Sequence, residues 1–180
     1  MPLDPHAQRF LAMIGASGVR SASAGIAAQR TAFATLMRTA GLPLTGATSD
    51  IVLPGPAEPL PARVYHPHDG AGTLPGLVFF HGGGLVAGDL DTHDGICSRL
   101  AQAAHCRVVS IAYRLAPEHV FPAAVEDAWA GTVAVLDRVD MLGLDPARMA
   151  VGGDSVGANL AASTCQDLVR QGRTACAPSC

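Results

Sequence analysis

Apolar and polar positions change rhythm along the chain. From residue 1 to about 41 the pattern is helical, with Phe10, Leu11 and Ile14, then Phe33, Leu36 and Met37, on compatible apolar faces. Gly41 and Pro43 stop the second of these helices. Thr48 to Leu53 and Arg63 to Tyr65 are short strand-like segments, with Pro54-Gly55-Pro56 between them and the loop His66-Pro67-His68-Asp69-Gly70 after. No internal repeat is visible.

From residue 75 the grammar is different. Leu77-Val78-Phe79-Phe80 is a continuous apolar run, the pattern of a strand buried on both faces. Asp91 can cap a helix that runs to about Ala104. Arg107 to Ala112 is a second buried strand, and Phe121-Pro122 opens a helix to about Val139. Ala147 to Val151 is a third strand, and a third helix starts at Ser155. This alternation predicts an α/β fold with a mostly parallel sheet flanked by helices.

Composition narrows the picture. A chain of 180 residues is long enough for one domain with a core, and 49% apolar against 15% charged residues argues against disorder. Aromatics are only 4%, so the core leans on Ala, Val, Leu and Ile. A net charge of -3 gives no electrostatic case for nucleic acid, and no apolar run reaches a membrane span. Phe10 to Val19 followed by Ser21-Ala22-Ser23-Ala24 imitates a signal peptide, but Asp4 precedes the single Arg9, so an amphipathic helix and a cytoplasmic location are the expectation. The five cysteines, at 97, 106, 165, 176 and 180, form no C-x-x-C pair, which argues against a disulfide framework or a zinc site. No metal is expected.

The chemistry sits at two strand ends. Gly153-Asp154-Ser155-Val156-Gly157 lies between the Met149-Ala150-Val151 strand and the Ala158-Asn159-Leu160 helix. This is the G-x-S-x-G nucleophile elbow in the strand–turn–helix context it needs. A strained serine projects its hydroxyl clear of the sheet, and side chains two residues either side would crowd the turn, so glycine fits both places. The bland alternative is a glycine-rich turn that merely contains a serine. The second strand end is His81-Gly82-Gly83-Gly84, directly after Phe80. Acyl transfer builds negative charge on a carbonyl oxygen, and preorganised backbone N–H groups stabilise it. Glycines allow the close approach, and the elbow adds the N–H of Val156.

Taken together, these motifs resemble the hormone-sensitive lipase family of α/β-hydrolases, the bacterial family IV esterases. The matching residues are His81-Gly82-Gly83-Gly84, Gly88-Asp89-Leu90-Asp91-Thr92-His93-Asp94, Tyr113-Arg114-Leu115-Ala116-Pro117-Glu118-His119, Phe121-Pro122-Ala123-Ala124 and Gly153-Asp154-Ser155. The resemblance runs through about Ala162. It implies that Ser155 is the nucleophile and that Gly83, Gly84 and Val156 supply the oxyanion-hole amides. His81, Gly82, Gly153, Asp154 and Gly157 support them. It also implies short to medium acyl esters as substrates, no cofactor, and N-terminal helices that belong to a cap. The organisation expected is a helical cap segment at 1–45, a partial α/β-hydrolase core at 46–172 and an irregular tail at 173–180.

His81, His93 and His119 tempt as bases. The resemblance makes His81 a shaper of the loop, and His93 and His119 read as structural, because the fold's order is serine, then acid, then histidine. After Ser155 come 25 residues with no histidine and one acid, Asp167. Asp167 lies twelve positions along the same helix, about 18 Å away. The tail Arg173-Thr174-Ala175-Cys176-Ala177-Pro178-Ser179-Cys180 has no strand pattern. The expectation is therefore an esterase cut short by a frameshift or early stop, nearly inactive as these 180 residues; a genuinely divergent tail is the alternative. Two other functions compete. A non-catalytic, hydrolase-like small-molecule binding protein fits the missing histidine. A dinucleotide module fits Gly82-x-Gly84-x-x-Ala87 formally, but Ser110-Ile111-Ala112-Tyr113 carries no acid for a ribose.

Overall fold

In the computed structural model, residues 3–16 and 25–173 are described. Two helices come first, α1 (Pro5–Ala16) and α2 (Ile26–Ala40), then strands β1 (Thr48–Leu53), β2 (Leu60–Tyr65) and β3 (Leu74–Phe80). Helix α3 (Asp94–Ala104), strand β4 (Arg107–Ile111), helix α4 (Ala123–Leu136), strand β5 (Leu144–Gly153) and helix α5 (Val156–Arg170) follow. The stretch 17–24, where the imitation of a signal peptide falls, and the tail from 174 lie outside the described residues.

The five strands form one sheet in the order β1-β2-β4-β3-β5. β4, β3 and β5 are mutually parallel, while β2 runs antiparallel to both β1 and β4. Only β2 is therefore reversed. Among the described residues β5 pairs with β3 alone, so its other edge is open.

Period-two alternation along β3 feeds two cores. Val78 and Phe80 pack with Val109, Ile111 and Tyr113 under Ala124, Ala128 and Val135 of α4 and Leu160 and Ala161 of α5. Phe79 faces the opposite side, with Tyr65 and Val108 against Cys97 and Ala101 of α3. Helices thus cover both faces of the sheet, which is why this strand reads as an unbroken apolar run. Burial pushes the Cys97 thiol up to about 12 and raises that of Cys106, so both behave as small apolar groups.

The helix expected from Asp91 begins later. Asp91 to His93 forms a 3-10 turn, and α3 starts at Asp94. The Asp91 carboxylate does not cap it but accepts from Arg63 Nη1 at 2.7 Å. Arg63 also reaches Asp50 at 2.6 Å and Asp94 at 2.8 Å, and a charged donor outcompetes a backbone amide. The turn is closed by a reciprocal pair upstream: Asp89 Oδ1 accepts from Thr92 N at 2.7 Å, and Thr92 Oγ1 accepts from Asp89 N at 2.9 Å.

Candidate active site

β3 and β5 are parallel neighbours and end together, with Phe80 paired to Gly153. Both glycine-rich segments therefore leave the sheet at one point. Ser155 takes φ 53° and ψ -122°, a left-handed backbone that a residue with a Cβ adopts only under strain. Its side chain is exposed and makes no hydrogen bond to a described residue.

The two flanking glycines are sterically required. A Cβ on Gly157 would stand 2.0 Å from the carbonyl oxygen of Phe80, and one on Gly153 would stand 2.4 Å from the same atom. The start of α5 thus presses directly on the end of β3. Asp154 N donates to Phe80 O at 3.3 Å, and Gly157 N donates to Asp154 O at 2.8 Å, closing the turn.

The loop after β3 is held just as closely. Gly82 N donates to Asp154 Oδ1 at 2.8 Å, which ties the loop to the elbow. Gly83 has φ 124° and Gly84 φ 69°, and Ala87 N donates back to Gly83 O at 3.0 Å. A Cβ on Gly83 would meet the Ala87 carbonyl oxygen at 2.0 Å. Among the described residues, the amides of Gly83, Gly84 and Val156 donate to no carbonyl or side chain outside their own elements.

His81 is buried beneath this loop. Its Nδ1 lies 2.8 Å from Gly82 O, and its ring stacks on Tyr113 with centroids 4.4 Å apart. The Tyr113 hydroxyl donates to His81 O at 2.7 Å. Burial lowers the His81 pKa and favours the neutral ring. Burial raises that of Tyr113, which keeps its hydroxyl a donor.

His93 is wholly buried, with its Nε2 3.3 Å from Asp154 Oδ1. Burial works to raise the Asp154 pKa, but His93 and the Gly82 amide outweigh it and hold the carboxyl below its ordinary value. His119 lines a small 40 Å³ cavity with Leu85 and Phe121. Asp167 is engaged on the surface of α5, 2.9 Å from Arg170 Nη1. No described histidine hydrogen-bonds the Ser155 hydroxyl.

Arg30 on α2 carries no motif and was invisible in the sequence. Its Nε donates to Val86 O at 2.6 Å and its Nη2 to Ala116 O at 3.0 Å. It also pairs with both Glu118 oxygens, at 2.9 and 2.6 Å. One side chain thus joins α2 to the loop after Gly84 and to the Ala116-Pro117-Glu118 segment. Nothing in the sequence sets it apart from Arg38 on the same helix.

A surface cavity of about 420 Å³ is lined by Pro56, Val125, Trp129 and Gln171 among others and does not include Ser155. Among the described residues no three His, Cys, Asp or Glu side chains converge as a metal-binding set, and no helix is long and apolar enough to cross a membrane.

A strained serine turn with clear glycines, joined to a glycine-rich loop at the neighbouring strand end, defines the hydrolase class of α/β fold. Residues 77–179 match the sequence family described as alpha/beta hydrolase fold, and the chain belongs to that family, on the hormone-sensitive lipase-like branch of family IV esterases. The family match continues past Ala162, where the motif resemblance stopped. The chain is 54% identical over 119 residues to the carboxylic ester hydrolase LipN of Mycobacterium tuberculosis, covering 66% of this chain and 31% of LipN. It is 49% identical to esterase LipI of the same organism, covering 65% of this chain and 37% of LipI. A solved hyperthermophilic esterase from the archaeon Pyrobaculum calidifontis superposes with a TM-score of 0.87 at 40% identity, covering 98% of this chain and 57% of that one. The chain thus spans about a third of the curated relatives it matches and somewhat over half of the solved one.

Proposed function

We propose that this chain carries the nucleophile half of a carboxylesterase site, acting on short to medium acyl esters without a cofactor. Ser155 Oγ attacks the ester carbonyl carbon, and the amides of Gly83, Gly84 and Val156 receive the resulting oxyanion. The C–O bond to the alcohol then breaks, the alcohol leaves with a proton, and water later cleaves the acyl-serine to release the acid. The left-handed backbone at Ser155, beside a loop bound to it through Asp154 and Gly82, is the observation that carries this reading. The names of the relatives support the substrate class.

The strained serine and the glycine loop are only part of the machinery. Without a base, a serine hydroxyl is a poor nucleophile, and loss of the histidine alone costs on the order of 10⁶ in turnover. These 180 residues by themselves therefore turn over little ester. In the same reading α2 is the part of the 1–45 segment that covers the site, tethered through Arg30, and residues 46–172 are the partial hydrolase core.

The test is hydrolysis of p-nitrophenyl butyrate by the 180-residue chain and its Ser155→Ala variant, with and without added imidazole. Imidazole should raise the rate above its own background for the parent chain only. If it raises neither, and the chain nevertheless binds butyrate or its esters in calorimetry, the reading is a non-catalytic binding protein instead.

A further inference from the structure

For the amides to serve Ser155, something has to hold the loop after β3 at a fixed distance from the elbow. Asp154 Oδ1 accepts from Gly82 N at 2.8 Å and also lies 3.3 Å from His93 Nε2. His93 Nε2 is buried and has no other partner; it approaches the carboxylate without hydrogen-bond alignment. The ring is packed on three sides. It lies 5.4 Å from the His81 ring, 6.4 Å from Phe79 and 6.3 Å from Phe33 of α2.

Thr92 Oγ1 lies 2.8 Å from Asp89 O and 3.0 Å from His93 Nδ1, so Nδ1 has a hydroxyl neighbour whichever ring nitrogen carries the proton. Nε2 faces the Asp154 carboxylate, and that contact is attractive when Nε2 carries the ring proton. The other titratable groups around the pair are His81 at the end of β3, Asp89 in the loop, Cys97 on α3 and Tyr113 after β4.

We propose that Asp154 and His93 are positioning residues that clamp the oxyanion loop to the elbow, with the His93 ring held between the cap helix and the Asp154 carboxylate. Asp154 fixes Gly82, and through it the next two amides. His93 fixes the rotamer of Asp154, and Phe33 passes the position of α2 to His93. The catalytic meaning of this clamp rests on the esterase reading above; its structural content does not.

The experiment uses the full 180-residue chain and reads two things by NMR: amide hydrogen exchange at Gly82, with Val78 and Val109 in the sheet as controls, and the ¹⁵N shifts of the His93 ring. In Asp154→Ala, Gly82 exchange should rise on the order of tenfold while Val78 and Val109 stay as they were. Asp154→Asn keeps an oxygen for Gly82, so exchange there should stay within about threefold of the parent. The same variant should shift the ¹⁵N resonance of His93 Nε2, which faces the altered group. His93→Gln, which can still donate toward Asp154, should fall between. If Asp154→Ala does not fold, the ring spectrum in Asp154→Asn and the Gly82 exchange in His93→Gln decide the matter. Unchanged Gly82 exchange in both Asp154→Ala and His93→Gln overturns the proposal. So does a His93 ring spectrum that Asp154→Asn leaves unchanged. Neither readout needs turnover, so a failure of imidazole-dependent hydrolysis would sink the esterase reading and leave this result standing.

Discussion

At the ends of β3 and β5 the backbone of one segment touches that of the next so closely that Gly83, Gly153 and Gly157 have no room for a Cβ. Helix α1, twelve residues long, buries none of its side chains, and Phe10 and Leu11 stay about half exposed. Helix α2 lies between these extremes, tied down chiefly by Arg30 and the ring of Phe33. The difference teaches where specificity is stored. At the site, position is dictated by backbone sterics and leaves almost no freedom. In the N-terminal helices it depends on a few side chains, and only those of α2, Arg30 and Phe33, reach the residues around the site.

The largest effect should come from breaking the tight region. Gly157→Ala places a methyl group against the Phe80 carbonyl, where backbone has to shift, and should cost about 3 kcal/mol of stability in urea unfolding. Loss of less than 1 kcal/mol there would mean the elbow is as adaptable as the helices.

Cutting the tether of α2 should matter less. Arg30→Ala removes an exposed bidentate pair and two bonds to carbonyls, and should cost about 1 kcal/mol. The more telling readout is hydrogen exchange: protection should fall in α2 and hold in β3 and β4. A uniform fall would contradict the separation of the two regions.

The same tether predicts an acid response. Arg30 holds the Glu118 carboxyl down to about 2. Because the folded value is depressed, the contact contributes fully above the ordinary glutamate value near 4.3 and is lost as pH falls toward about 2. Exchange in α2 should therefore accelerate below pH 4.3 or so in the parent chain and be insensitive over that range in Arg30→Ala. The smallest effect belongs to α1, where Phe10→Ser should leave stability within about 0.5 kcal/mol.

How much of this was legible in the sequence follows the same division. The need for glycine at 153 and 157 was legible because sterics fix residue type locally: a Cβ at either would meet the Phe80 carbonyl oxygen. The alternating faces of Val78, Phe79 and Phe80 were legible from one continuous run. The reversed β2 was not, since antiparallel pairing with β4 depends on a partner far along the chain. Asp91 was misassigned as a cap because the competing donor, Arg63, comes from another strand. Arg30 was missed for the same reason: its partners at Val86, Ala116 and Glu118 meet it only after folding. Sequence patterns read well what neighbours along the chain impose and poorly what distant charged side chains impose.

The central claim is that Ser155 is the group this fold prepares for attack on a carbonyl. The most direct measurement is long incubation of the 180-residue chain with a fluorophosphonate ester, followed by intact mass and peptide mapping. The account predicts one phosphonyl group per chain, slow to form, mapped to Ser155 and absent from Ser155→Ala. A folded chain that takes the label elsewhere, or takes none at Ser155, would contradict it.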